Sequence, residues 1–173
     1  MPSLSPDAPL TIRRATDADF EAIWPFFRDI VRAGETYAYD PDTSAEEAFD
    51  IWMRLPHATY VAEAEGIVGS YYLKANQPAL GAHVCNAGYM VAGAARGRGV
   101  GRAMCLHSQT EARRLGYRAV QFNLVVSTNP AVGLWLELGF STVGTLPGAF
   151  KHKERGFVDA LVMYKWLGDE DRQ

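Results

Sequence analysis

Cysteine is scarce in this chain: Cys85 and Cys105 are the only two in 173 residues, with no C-x-x-C pair and no Cys/His cluster around them. That excludes a disulfide framework and gives no sign of a zinc site, so no metal is expected and a reducing cytoplasm fits. A surplus of positive charge is also missing. Seventeen Lys and Arg stand against twenty Asp and Glu, a net charge of -3, so no global basic field argues for nucleic acid or an anionic membrane as partner. Long apolar runs are absent too. The stretch 75–95 carries no Asp, Glu, Lys or Arg, but Asn76, Gln77, Pro78, His83 and Asn86 interrupt it, and a membrane-crossing helix needs about 20 predominantly apolar residues. Met1 to Leu10 has neither a basic n-region nor an apolar h-region, so it reads as a loose tail rather than a signal peptide.

What is present is the composition of an ordinary folded chain, long enough for one domain with a real core. The expected organisation is a flexible tail over 1–9, a single domain over 10–167 and an acidic tail over 168–173. A first strand is read at Leu10 to Arg14. Thr16 with Asp19 forms a variant capping box before a helix whose apolar face is Phe20, Ile23, Trp24, Phe27, Ile30 and Val31. Pro25 should bend that helix and Gly34 should end it. Ser44 and Glu47 make a second capping box before a shorter helix. Thr59 to Glu63 and Ile67 to Ala75 read as a hairpin about Glu65-Gly66, and His83 to Val91 as a further strand with Gly88 a bulge or a point of close approach. The small, glycine-rich run from Ala92 to Gly101 opens a helix to Leu115, capped by Gly116. Then come a strand at Ala119 to Val126, a helix from Asn129-Pro130 to Gly139, and two strands at Ser141 to Thr145 and Phe157 to Lys165. This is one mixed α/β domain.

The stretch Arg96-Gly97-Arg98-Gly99-Val100-Gly101-Arg102 follows a strand and opens a helix. Alternate glycines let a backbone approach an anion closely, and the first amides of a helix lack internal acceptors while its dipole favours negative charge. From Arg96 to Arg118 there are six Arg and one Glu, so positive charge is local although the chain is net acidic. The spacing is neither GxGxxG nor a P-loop; a turn whose arginines are merely solvated is the competing reading.

Arg96-x-x-Gly99-x-Gly101, followed by Asn129-Pro130-Ala131, Leu134-Trp135 and Leu138-Gly139-Phe140, resembles the GCN5-related N-acetyltransferase (GNAT) family, and Thr11 to Thr16 with Asp19 resembles its opening. Phe150-Lys151-His152 with Val158-Asp159 is similar to phosphinothricin-type members. His83 to Tyr89 and Phe122 to Val125 are similar to the proline-analogue (azetidine-2-carboxylate) N-acetyltransferases. The resemblance implies the GNAT fold: a mixed, mostly antiparallel twisted sheet with a splayed parallel strand pair and flanking helices. It also implies direct acetyl transfer from acetyl-CoA to the amine of a small molecule, an amino acid or analogue, without a metal, and a homodimer as a family-level expectation.

On that resemblance the pyrophosphate sits on the amides of Gly97, Arg98, Gly99, Val100, Gly101 and Arg102, with Arg96 and Arg102 adding charge. Main-chain groups of Tyr89, Met90 and Val91 hold the pantetheine arm and the acetyl carbonyl. Asn129 touches the pantetheine; the interval from it to Gly139-Phe140 is one residue shorter than the family's, so Thr128 is the alternative. Trp135 stands where many members have a proton-donating Tyr; it is read as shaping the channel, with Tyr89 or solvent as acid. Asn86 and Asn123, amides on strands read as buried, either orient the substrate or satisfy backbone at the strand divergence. Glu35, Thr36 and Tyr37 belong to the acceptor wall, Glu35 relaying a proton or simply solvated, and Lys151 and His152 offer charge to an acidic substrate or are simply polar turn residues. Cys85 is either an acetyl-accepting nucleophile or a small core residue. Two other readings stay open: a protein or peptide N-acetyltransferase, and a non-catalytic acetyl-CoA-binding sensor.

Overall fold

A computed structural model describes residues 9–168; the expected tails fall, except for residues 9 and 168, outside that range. Strand β1 (Thr11–Arg14) is followed by the Thr16 cap, whose N–H and hydroxyl both donate to the Asp19 carboxylate at 2.7 and 3.0 Å. Helix α1 (Phe20–Ala33) buries Ile23, Phe26, Phe27 and Val31 and ends at Gly34, which takes the left-handed conformation (φ 63°) that glycine adopts without strain. Pro25 lies inside α1, which continues through it to Gly34 as expected. The donor missing at Pro25 would have met the Glu21 carbonyl, and both residues lie on the exposed side, where that carbonyl is open to solvent. Helix α2 (Ala45–Phe49) starts at Ser44, whose hydroxyl accepts from the Glu47 N–H, and continues into a wide turn over Asp50–Arg54.

The hairpin β2 (Ala58–Glu63) and β3 (Ile67–Ala75) is antiparallel, and β4 (Val84–Val91) continues the meander. Helix α3 (Val100–Arg114) begins later than expected, after a turn through Gly97 and Gly99 at φ 74° and 77°. Strand β5 (Ala119–Val126) has the expected bounds. Helix α4 (Ala131–Glu137) is shorter than expected, with the Asn129 side chain accepting from the Ala131 N–H. Strands β6 (Ser141–His152) and β7 (Gly156–Trp166) are both longer. β6 carries Gly144, Pro147 and Gly148, and two shifts of register against β7 absorb them.

The seven strands form one sheet in the order β1-β2-β3-β4-β5-β7-β6, antiparallel except for β4 with β5. One face, carrying Cys85, Val120 and Phe122, packs against Met104 and Cys105 of α3, Trp135 of α4 and Phe140. The other face, built on Val61, Tyr72 and Met90, packs against Ile23, Phe27 and Trp52 of α1 and the α2 turn. Among the described residues no helix is long and apolar enough to cross a membrane.

Candidate active site

The parallel pairing of β4 with β5 extends only over Val84–Asn86 against Ala119–Gln121; beyond it the strands diverge. In the β3–β4 ladder Asn76 N–H donates to the Val84 carbonyl and Ala92 N–H to the Val68 carbonyl, each at 2.8 Å. In an antiparallel register this alternation turns the main chain of the even-numbered residues toward β3 and that of the odd-numbered ones toward β5. Ala87, Tyr89 and Val91 therefore present their N–H and C=O groups to the divergence. Met90 does not: its main chain pairs with Ser70 across the ladder, which corrects its expected role. The Tyr89 carbonyl accepts from the Tyr37 hydroxyl at 2.8 Å.

A cavity of about 440 Å³ occupies this divergence and opens toward both faces of the sheet. On the helical side it is lined by Arg96, Gly101, Asn129, Leu134 and Trp135. The first backbone bond of α3 runs from Ala103 N–H to the Gly99 carbonyl, so the amides of Val100, Gly101 and Arg102 have no acceptor within the helix. Gly101 lies inside α3, where φ does not demand glycine. A Cβ there would meet Leu134 and Val91 only at ordinary contact, 3.7 and 3.9 Å. Its absence leaves the cavity wall open at the positive end of a helix, a surface that fits a phosphate group. Arg102 is ion-paired with Glu137. Trp135 is buried between Tyr89 and Phe122, with ring centroids 5.1 and 5.4 Å away.

On the opposite side the wall is aromatic. Tyr37 stacks on Tyr39 at 5.4 Å, and Trp52 stands edge-on to Tyr37 and Tyr72 at 6.1 and 4.9 Å. Trp52 is itself locked, donating to the Ser70 hydroxyl at 2.9 Å, which donates to the Tyr60 carbonyl at 2.8 Å. Desolvation raises the phenols of Tyr37, Tyr39, Tyr72 and Tyr89 above their ordinary range, so all four are neutral near pH 7. Ser108 gives its proton to the Cys105 carbonyl, so the Tyr89 hydroxyl donates to Ser108 at 2.7 Å. That directs the Tyr89 proton toward α3 and away from the role of acid expected for it.

Of the expected acceptor residues, Glu35, Thr36, Tyr37, Asn86 and Asn123 all line the cavity. Asn86 is buried; it accepts from the Tyr72 hydroxyl and donates to the Gln121 carbonyl, both at 3.0 Å, at the last paired position of the two strands. Asn123 is exposed rather than buried, and its amide joins Gln121 and Asn76 at 2.9 and 2.6 Å. Lys151 is exposed on β6 and is not part of the cavity wall, and neither is Thr128, whereas Asn129 is. Gly97, Arg98, Gly99, Val100 and Arg102 form the turn and helix start beside the cavity without lining it. Cys85 is fully buried in the core under α3, with desolvation pushing its thiol up to about 12, and it lies outside the wall. Sequence reasoning missed Tyr72 and Leu124. A period-two reading places Tyr72 on one face of its strand, but only the register against β4 sets it beside Gly88 and Asn86. Among the described residues no group of three or more His, Cys, Asp or Glu is placed to hold a metal.

The family model of the acetyltransferase (GNAT) family matches residues 20–140. A solved GCN5-related N-acetyltransferase from Kribbella flavida is 51% identical and superposes with a TM-score of 0.87, covering 94% of this chain and 99% of that one. N-acetyltransferase aca1 of Schizosaccharomyces pombe is 29% identical over 151 residues, 76% of this chain and 72% of its own length. A phosphinothricin acetyltransferase from Sinorhizobium meliloti, solved in complex with AcCoA, shares the fold at 23% identity and a TM-score of 0.81, covering 92% of this chain and 89% of that one.

Proposed function

This chain belongs to the acetyltransferase (GNAT) family, and on that premise we propose that it moves the acetyl group of acetyl-CoA to the amine of a small molecule, an amino acid or close analogue. It is an N-acetyltransferase, as its relatives are. The observation that carries the narrower reading is the cavity through the β4–β5 divergence. Its helical end has the open glycine surface and, at the start of α3, amides with no acceptor inside the helix, as an anion site needs, and its other end is walled by Tyr37, Tyr39 and Tyr72.

The α3 amides of Val100, Gly101 and Arg102 would hold the pyrophosphate, with Arg96 beside them and Arg102 exchanging Glu137 for it. The main-chain groups of Tyr89 and Val91 that face the divergence would hold the pantetheine and polarise the acetyl carbonyl. Asn129, through its carbonyl or its amide nitrogen, would meet the same arm, and Trp135 would shape its channel. Bound acetyl-CoA supplies the acetyl group as an activated thioester. The protein's part is to bring the acceptor nitrogen into line, exclude bulk water and move protons. Glu35, the sole carboxylate among the described lining residues, would take the amine proton through water. With the Tyr89 hydroxyl turned to Ser108 and an indole at position 135, the proton for the departing sulfur would come from solvent. The free thiols of Cys85 and Cys105 agree with a reducing, cytoplasmic setting. The exposed Val143 and Leu146 on the outermost strand, β6, offer a surface for a second copy.

The test is release of free thiol from acetyl-CoA in the presence of amino acids, proline analogues, phosphinothricin-like compounds, polyamines and short peptides, with acetyl-CoA binding followed in parallel. Turnover with an amino-acid class supports the reading. Turnover with peptides alone moves it to protein acetylation, and binding without thiol release from any acceptor moves it to a sensor.

A further inference from the structure

The acceptor half of the cavity holds few charges. Among the described lining residues only Glu35 and Arg96 are charged, and Arg96 belongs with the glycine-rich turn at the helical end. A zwitterionic acceptor needs a second, positive pole on its own side. Lys74 is placed to supply it. Its register partner across the β3–β4 ladder is Asn86, which puts both side chains on the aromatic face of the sheet. Its ammonium lies 5.3 Å from the ring of Tyr72, whose hydroxyl bonds Asn86 in the cavity wall. Lys74 is half-buried, and among the described residues no carboxylate pairs with it. A lysine stem laid along an aromatic wall with an unneutralised head beside a substrate cavity is a standing attraction for an anion.

We propose that Lys74 is the residue that selects acceptors bearing a carboxylate. The acceptor's carboxylate takes the Lys74 ammonium, together with the second N–H of the Asn86 amide, whose first N–H is engaged by the Gln121 carbonyl. The amine end then lies toward Glu35 and the divergence of the strands. Opposite charges at the two ends fix which way round the acceptor lies, and the aromatic wall accommodates its apolar body.

This inference rests on the small-molecule reading above, and one experiment separates the two. Catalytic efficiency is measured for the best amino-acid acceptor and for its carboxamide, in the wild-type enzyme, K74M and K74R, with acetyl-CoA affinity and melting temperature recorded for each. The wild type is expected to prefer the carboxylate. K74M is expected to lower the ratio of the two efficiencies roughly tenfold, through KM for the acceptor, the size of one charge-assisted hydrogen bond. K74R is expected to keep most of the preference. An unchanged ratio in K74M, or equal losses on both acceptors, overturns the role of Lys74. Equal wild-type use of carboxylate and carboxamide overturns it as well, while leaving the small-molecule reading intact. Turnover confined to peptides removes the small-molecule reading, and Lys74 as its selector falls with it.

Discussion

Gly88 lies directly opposite Tyr72 in the β3–β4 ladder, so close that a Cβ on Gly88 would stand 2.6 Å from Cε1 of the tyrosine ring and 3.2 Å from the Tyr37 hydroxyl. Tyr72 cannot retreat, because Trp52 stands against it at 4.9 Å and is held by Ser70. Gly88→Ala is therefore expected to cost about 1–3 kcal/mol, the usual range for overpacking, and to raise KM for the acceptor more than KM for acetyl-CoA. Urea unfolding and steady-state kinetics on the same preparation check both effects. A fully stable variant with unchanged acceptor KM would mean that the aromatic wall is not the acceptor wall.

Much of the fold was legible because local chemistry dictates it. The Ser44/Glu47 box, the Gly34 terminus and strand β5 stand where capping rules and alternation put them. The expected strand at Ser141 to Thr145 covers only the first part of β6, which continues past Pro147 and Gly148 because pairing with β7 accommodates them through a shift of register. For the site, the glycine-rich turn carries its own signal in sequence. The acceptor chamber does not: Tyr72 joins its wall, and Lys74 comes to stand beside that wall, through their register against Gly88 and Asn86, and pairing register is a tertiary property that a one-residue slip would invert.

Cys85 separates a core thiol from a nucleophile. Buried, outside the cavity wall, and with its thiol pushed up to about 12 by desolvation, it holds almost no thiolate near neutral pH. Cys85→Ala is expected to retain the acetyl-transfer rate within about twofold while losing about 1 kcal/mol of stability to the small void left behind. Loss of turnover in a folded Cys85→Ala, or an acetylated intact protein in the mass spectrum dependent on Cys85, would restore the covalent route.

Asp19 makes stability depend on acid. Its two carboxylate oxygens each accept from Arg13 at 2.8 Å, and the Thr16 cap donates to it as well. The Arg13 bond is the largest of the effects that hold its pKa well below the ordinary 3.8. A carboxyl with a depressed folded-state value stabilises the fold above its unfolded value, and that contribution is lost as pH falls toward the folded one. The melting temperature should therefore fall progressively from about pH 5 toward pH 2. Asp19→Asn should lose about 1 kcal/mol at pH 7 and show a shallower acid limb. Because Arg13 is 42% exposed, the pair is open to solvent screening, and added salt should weaken it. Parallel acid limbs in the two proteins would assign the acid sensitivity elsewhere.

Gly101 separates the demands of the fold from those of the ligand. Within α3 an alanine at this position meets only ordinary contacts, and replacing glycine in a helix gains up to about 1 kcal/mol of helix stability. The same methyl would project into the cavity wall beside the amides of Val100, Gly101 and Arg102, where an anion must come close to gain from the helix terminus. Gly101→Ala is thus expected to melt at the same or a higher temperature while binding acetyl-CoA at least tenfold more weakly. Calorimetric titration beside thermal unfolding reads the two quantities independently. A gain in stability with loss of affinity is the signature of a residue kept small for a ligand. Unchanged affinity would move the pyrophosphate away from the start of α3, and a loss of both would mean that glycine at 101 serves the packing of Leu134 and Val91 instead.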